Sequence, residues 1–150
     1  MFVPKHYTIV AGKGISKYEL VAFDRALIDA GIGDYNLVRV SSIIPAKCQY
    51  ENNISIEKGS IVYIAYASFD IIDSAIMNAA VAIAIPEDNK QNGVIFETVS
   101  NNNTEKNAIN MCLEAMQNRN RPTKEVKSKC ISAKGIINMH TCGIAAVVMW

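Results

Sequence analysis

One seven-residue run limits the fold more than any other feature of the chain. Residues 79–85 read Ala-Ala-Val-Ala-Ile-Ala-Ile, with no charge and no hydroxyl. At the two-residue period of a strand, Val81, Ile83 and Ile85 share one face and Ala80, Ala82 and Ala84 the other. A strand that is apolar on both sides has to be covered on both sides. Pro86 closes it. The fold therefore needs at least one layer above this strand and one below.

The rest of the chain supplies those layers. Tyr7 to Ala11 reads as a strand ended by Gly12 and Gly14. Ser16 and Glu19 have the spacing of a capping box, with Ile15 and Leu20 as the hydrophobic staple, so a helix is predicted from there to about Ala30, stopped by Gly31. Tyr35 to Ile43 reads as a strand ended by Pro45, residues 46–59 as a polar loop, and Ser60 to Ala67 and Gly93 to Val99 as further strands. Thr104 is positioned to cap a second helix whose inner stripe is Ala108, Ile109, Cys112, Leu113 and Met116. Strands at about 125–133 and 141–150 finish the chain. Seven or so strands and two amphipathic helices predict an α+β fold. It is a four-layer αββα sandwich, two mainly antiparallel sheets each covered by a helix. A chain of 150 residues, half of them hydrophobic, suits one such domain without disulfide or metal staples.

Composition excludes several function classes. The formal net charge is +1, which asks for neither nucleic acid nor an anionic membrane. The one basic stretch, Arg119 to Lys129, is interrupted by Glu125 and carries no aromatics, and reads as a solvated, loop-flanking face. Cysteines at 48, 112, 130 and 142 have no C-x-x-C spacing and there are only two histidines, so no metal site or disulfide framework is expected. The cysteines are expected in the core, and His6 and His140 as ordinary residues, His140 exposed. The apolar run in the first twelve residues is too short for a signal peptide. The uncharged stretch from Gly135 to Trp150 is too short and too polar to span a membrane, and a cytoplasmic protein is expected. Gly12 and Gly14 form a lone G-x-G, read as a strand end rather than a phosphate loop.

Three polar residues interrupt apolar patterns, as functional residues do. Asp24 shares a helical stripe with Leu20, Phe23, Leu27 and Ala30. It is either ion-paired locally, with Arg25, Lys17 or another base of the protein, or a socket for a cationic ligand. Glu97 interrupts the strand Gly-Val-Ile-Phe-Glu-Thr-Val. It either faces solvent or is a buried carboxyl, protonated near neutrality and able to donate a proton. Ser41-Ser42 ends an apolar strand beside a turn, an arrangement common in proteins and not part of a G-x-S-x-G elbow.

Taken together, the segment AFDRALIDAGIGDYNLVRVSSIIP (22–45), AVAIAIPEDN (80–89), GVIFE (93–97) and CGIAAVVMW (142–150) resembles the pyruvoyl-dependent arginine decarboxylases, in order and over most of the chain. The resemblance implies self-cleavage of the Ser41–Ser42 bond into chains 1–41 and 42–150, with Ser42 becoming a pyruvoyl group and no need for metal or pyridoxal phosphate. It implies decarboxylation of arginine to agmatine through a Schiff base. It gives Asn36 a role in processing and Glu97 that of the catalytic acid. Asp24 becomes the carboxylate for the substrate guanidinium, with Leu27, Gly33 and Ile43 beside the substrate. Arg25 stands where a small residue is common, and residues 46–59 and 68–78 match poorly. Decarboxylation of histidine or another amino acid, or a non-catalytic unprocessed homologue, remain alternatives. Asn36 and Ser42, six extended residues apart, would lie roughly 20 Å apart. They meet only if the strand bends or a neighbouring subunit contributes, in keeping with the trimer, or dimer of trimers, with interfacial sites that the resemblance implies.

Overall fold

The computed structural model describes all 150 residues. Its elements are β1 (His6–Ser16), α1 (Glu19–Asp29), β2 (Asn36–Arg39), β3 (Ile43–Ile44), β4 (Gln49–Tyr50), β5 (Ile61–Ile71), β6 (Ile76–Pro86), β7 (Gly93–Ser100), α2 (Thr104–Asn118), β8 (Thr123–Lys134) and β9 (His140–Met149). One sheet has the order β2-β5-β9-β1-β4 and the other β3-β7-β6-β8. Pairing is antiparallel except where β2 runs parallel to β5 and β4 parallel to β1. The α+β sandwich expected from the sequence is the architecture observed.

The split faces of β6 organise its layers. Val81 and Ile83 enter the core between the sheets, with Ile95, Val147 and Phe69. Ala80, Ala82 and Ala84 meet Ala108, Cys112 and Met116 of α2 on the other side. Small residues on that face let the helix approach closely, and large ones on the other fill the wider space between sheets. A third apolar layer joins Ala22, Ala26 and Ala30 of α1 to Ile64, Ile144 and Val148.

Several local expectations are corrected. β1 does not stop at Gly12 and Gly14 but runs through them, because both lie directly beneath α1. A Cβ on Gly14 would sit 2.5 Å from the Ala22 carbonyl oxygen, and one on Gly12 would run into that of Ala26. The capping box does not form: Ser16 is the last residue of β1, its Oγ accepts the Tyr18 N–H (3.2 Å), and Tyr18 is the N-cap without a side-chain bond. Leu20 is 81% exposed, so no staple forms either. The buried stripe of α1 is Ala22, Ala26 and Ala30, flanked by half-buried Phe23 and Leu27, which leaves Asp24 on the exposed side. The helix does end where expected, with Gly31 at φ +78°. Thr104 opens α2 instead of capping it, Asn103 being the N-cap, and Leu113 is exposed.

The loop 46–59 contains the short β4. The predicted strand 35–43 is two strands in different sheets. The basic stretch Arg119–Lys129 is largely β8, whose Lys129 Nζ reaches the Ile9 carbonyl (3.4 Å) across the sandwich. Cys112 and Cys142 are core residues, while Cys48 and Cys130 are half-buried. His140 is half-buried and bonds Asp70 Oδ2 through Nδ1 at 2.6 Å, so it is not the free surface residue expected.

Candidate active site

The break between β2 and β3 puts the two serines in an unusual position. β2 lies on the edge of the first sheet, in register with Ile61 to Ile64 of β5. Its last tie there is the Val40 N–H to the Ile64 carbonyl (3.0 Å). Two residues later the Ser42 carbonyl accepts the Ile95 N–H of β7 (2.8 Å), and Ile43 pairs with Val94 in the second sheet. The Ser41–Ser42 peptide bond therefore crosses from one sheet to the other, with Ser41 exposed and Ser42 half-buried. Both serines keep negative φ, so the crossing is made without a left-handed turn. A pocket of about 240 Å³ adjoins the crossing, between Val40, Ser41, Ile43 and Pro45 on one side and Tyr63, Met149, Phe2 and Pro4 on the other.

Glu97 lies on β7 two residues beyond Ile95, hence on the same face and roughly 7 Å along the strand. It stands opposite Val81, a residue of the core between the sheets. Half-burial pushes its carboxyl above the usual carboxylate range; the Arg39 guanidinium and a backbone hydrogen bond pull it part of the way back. The net shift is upward, which favours the protonated acid.

The other expected residues stand apart within one chain. Asn36 begins β2, and its amide donates to the Gly59 carbonyl at 2.7 Å. It is separated from Val40 by roughly 13 Å of strand. Leu27 and Gly33 are near each other at the α1–β2 turn, where the Leu27 carbonyl accepts the Ile32 N–H (2.9 Å) and Gly33 packs on Ile28. Asp24 is exposed on α1, and Arg25 turns away from it to donate to the Ile15 carbonyl. One chain thus groups Ser41, Ser42, Ile43 and Glu97, while Asn36, Asp24, Leu27 and Gly33 belong to the opposite end of β2 or to α1.

Arg39 belongs to the Asn-x-x-Arg-x-Ser-Ser string that carries the resemblance, but the sequence reading gave it no role. Its guanidinium lies 4.6 Å from the centroid of the Tyr66 ring and donates to the Tyr66 carbonyl at 3.4 Å. The available signal was a charge inside the otherwise apolar Leu-Val-Arg-Val. Tyr63 and Phe2, whose rings stack at 5.6 Å over the pocket, gave no sequence signal because both read as ordinary apolar residues.

The residues present suit a prosthetic group made from position 42. Conversion would remove the Ser42 hydroxyl and amide nitrogen but keep Cα, Cβ and the carbonyl, which already holds a backbone donor from Ile95. An N–H fixed on that oxygen is placed to stabilise charge developing there.

A family model described as pyruvoyl-dependent arginine decarboxylase matches residues 6–150. The pyruvoyl-dependent arginine decarboxylase of Methanococcus vannielii is 32% identical over 98% of this chain and 91% of its own. Pyruvoyl-dependent arginine decarboxylase 2 of Archaeoglobus fulgidus is 33% identical over 97% and 96%, and the pyruvoyl-dependent arginine decarboxylase of Methanopyrus kandleri 31% over 100% and 99%.

Proposed function

We propose, since the chain belongs to the pyruvoyl-dependent arginine decarboxylase family, that it cuts itself between Ser41 and Ser42 and decarboxylates arginine to agmatine and carbon dioxide. In processing, Ser42 Oγ attacks the Ser41 carbonyl carbon and the C–N bond breaks, giving an ester. β-Elimination then frees residues 1–41, with Ser41 as a carboxylate. The dehydroalanine left at position 42 tautomerises and takes up water to give the pyruvoyl group and ammonia. The observation that carries this reading is the crossing itself. The Ser41–Ser42 bond carries the chain from one sheet to the other, tied on its far side by Ile95, two residues before the half-buried Glu97 on β7.

The pyruvoyl group supplies a ketone that condenses with an α-amine and an electron sink for the pair released as carbon dioxide leaves. The chain's own residues do the rest. Ile95 N–H holds the carbonyl of residue 42. Glu97, whose carboxyl burial shifts toward the protonated form, delivers a proton to the α-carbon, and Ile43 and Val40 line the pocket beside the crossing. Asp24 binds the substrate guanidinium by a bidentate, charge-assisted pair, with Leu27 and Gly33 beside the aliphatic part. Asn36 donates to the Ser41 carbonyl oxygen during processing. Asp24 and Asn36 reach a given Ser42 from a neighbouring chain, in keeping with the trimer or dimer of trimers that the family resemblance implies. No helix is long and apolar enough to cross a membrane; the reaction needs no membrane and belongs in the cytoplasm.

Intact mass of the purified protein tests this reading. Two polypeptides split at 41/42, the larger without a free amino terminus, together with carbon dioxide release from arginine, are expected. A persistently intact chain overturns it in favour of an unprocessed homologue. Faster turnover of histidine or lysine overturns the substrate assignment.

A further inference from the structure

The proposed reaction gives most of arginine's groups a partner. The α-amine meets the ketone at position 42, the guanidinium meets Asp24, and the α-carbon receives a proton from Glu97. The α-carboxylate, the group that leaves, has none. Position 42 lies at the margin of the cavity of about 240 Å³ whose lining includes both its chain neighbours, Ser41 and Ile43. None of the eight residues around that cavity is charged, and two of them, Pro4 and Pro45, have no N–H to donate. The cations closest in sequence are turned elsewhere. Arg39 lies on the α1 face of the first sheet, where the Tyr66 ring and carbonyl hold it. Lys5, His6 and Lys47 line a different cavity, which shares only Pro4 with this one.

The outer wall of the cavity is the amino-terminal strap. Phe2 stacks on Tyr63 with ring centroids 5.6 Å apart. The strap is pinned immediately after Pro4, where Lys5 and His6 both donate their N–H to the Trp150 carbonyl (2.9 and 3.0 Å). Phe2 and Pro4 precede the stretch that the family match covers, so this wall is a feature of the chain's own leading segment.

We propose that this cavity is the subsite for the substrate's α-carboxylate, and that Phe2 and Pro4 are its specificity-determining outer wall. The inference deepens the proposed function and rests on it. In the step concerned, the bond from the α-carbon to the carboxylate breaks, the bonding pair stays on the α-carbon side and neutral carbon dioxide leaves. Glu97 then supplies the proton. An apolar, cation-free cavity strips hydration from a carboxylate but costs carbon dioxide nothing. The wall therefore disfavours the bound ground state more than the charge-dispersed transition state, which raises kcat. Cleavage acts in the same direction, since the new Ser41 carboxylate at the cavity's edge repels an anion and not the neutral product.

The test places a cation in the wall of the full-length, cleaved protein, as Phe2→Lys and separately as Pro4→Lys, with Phe2→Leu as the apolar control. Phe2 is 64% exposed, so the fold tolerates the change. Two ligands that lack the α-amine, and so are not turned over, isolate the carboxylate in calorimetry: δ-guanidinovalerate, and pentylguanidine, which has a methyl group in its place. The parent should prefer pentylguanidine. Each lysine should shift the preference toward δ-guanidinovalerate by about tenfold, the worth of one charge-assisted contact, while kcat for arginine falls. Phe2→Leu should keep the parent's preference. Tighter binding of the carboxylate with slower loss of it is a pairing that mere structural damage does not give. A preference unmoved in both lysine variants overturns the inference even if kcat falls, and so does a shifted preference with kcat unchanged or raised. Failure of the parent to cleave, or to bind either guanidine, would instead sink the proposed function, so the two failures are distinguishable.

Discussion

Gly14→Ala offers the sharpest link between packing and activity. A Cβ at this position would lie 2.5 Å from the Ala22 carbonyl oxygen and 2.7 Å from the Ala26 nitrogen. Both are backbone atoms of α1 and cannot rotate aside. Ordinary contact begins at 3.4 Å, so relief of the first approach needs 3.4 − 2.5 = 0.9 Å of helix displacement. Forced overpacking costs about 1–3 kcal/mol, and a rigid neighbour puts this case at about 3. A domain of this size loses about 2–4 °C of Tm per kcal/mol, so a drop of about 6–12 °C is expected at fixed protein concentration. The same displacement moves Asp24, which lies between Ala22 and Ala26 on α1. An error of about 1 Å in a positioning group costs up to about 10²-fold. The value of kcat/KM for arginine should fall by about tenfold or more, whereas cleavage at 41/42 should survive, because the serines are tied to β5 and β7 and not to α1. Gly31→Ala is the control: nothing lies within 4 Å of its Cβ, but φ is +78°, so it should lose about 1–2 kcal/mol from backbone strain without moving the helix. Calorimetry and steady-state kinetics on both variants decide the matter. A Gly14→Ala protein as stable as the parent, or one that loses cleavage before it loses stability, would refute the reasoning.

Other consequences are simpler to read. Ser42→Ala should remain one folded, inactive polypeptide on a denaturing gel, and normal cleavage in it would contradict the processing chemistry. Glu97→Gln should still be cut but lose about 10²–10⁴-fold in kcat, the usual worth of a general acid, measured by carbon dioxide release. In the parent protein the protonated form of Glu97 is the donor, so kcat should be high below its raised pKa and fall as pH rises through it. The linked stability follows the same sign, since the folded carboxyl holds its proton more tightly than the unfolded one. That stability is present below the unfolded value and lost as pH rises through the folded one, so urea unfolding should show the Glu97→Gln chain gaining on the parent over that window. Asp24→Asn should raise KM for arginine by roughly 10- to 100-fold, as expected for the loss of a charge-assisted pair.

The layered architecture was legible in the sequence because it depends on local periodicity. The alternation in residues 79–85 assigned Val81 and Ile83 to one interface and Ala80, Ala82 and Ala84 to another, and the sandwich keeps both assignments. Glu97 stood out because it breaks an apolar strand, whereas Ser41-Ser42 read as an ordinary strand end and drew notice only through the family resemblance.

What the tertiary structure decided were contacts between segments distant in sequence. Gly12 and Gly14 read as strand terminators, because no local signal shows a helix pressed on a strand; α1 packing against β1 makes them the points of closest approach. Asp24 appeared to sit on a buried stripe, since Leu20 and Leu27 are more apolar than Ala22 and Ala26, yet the close fit of α1 to the sheet selects the small residues and turns Asp24 outward. The split of residues 35–43 between two sheets is invisible in a continuous β-rich run. It arises because Val40 bonds β5 and Ser42 bonds β7, partners supplied by strands that begin some twenty and fifty residues later. Residue types and their periods are properties of the chain alone, whereas the partner of each backbone group is a property of the closed fold.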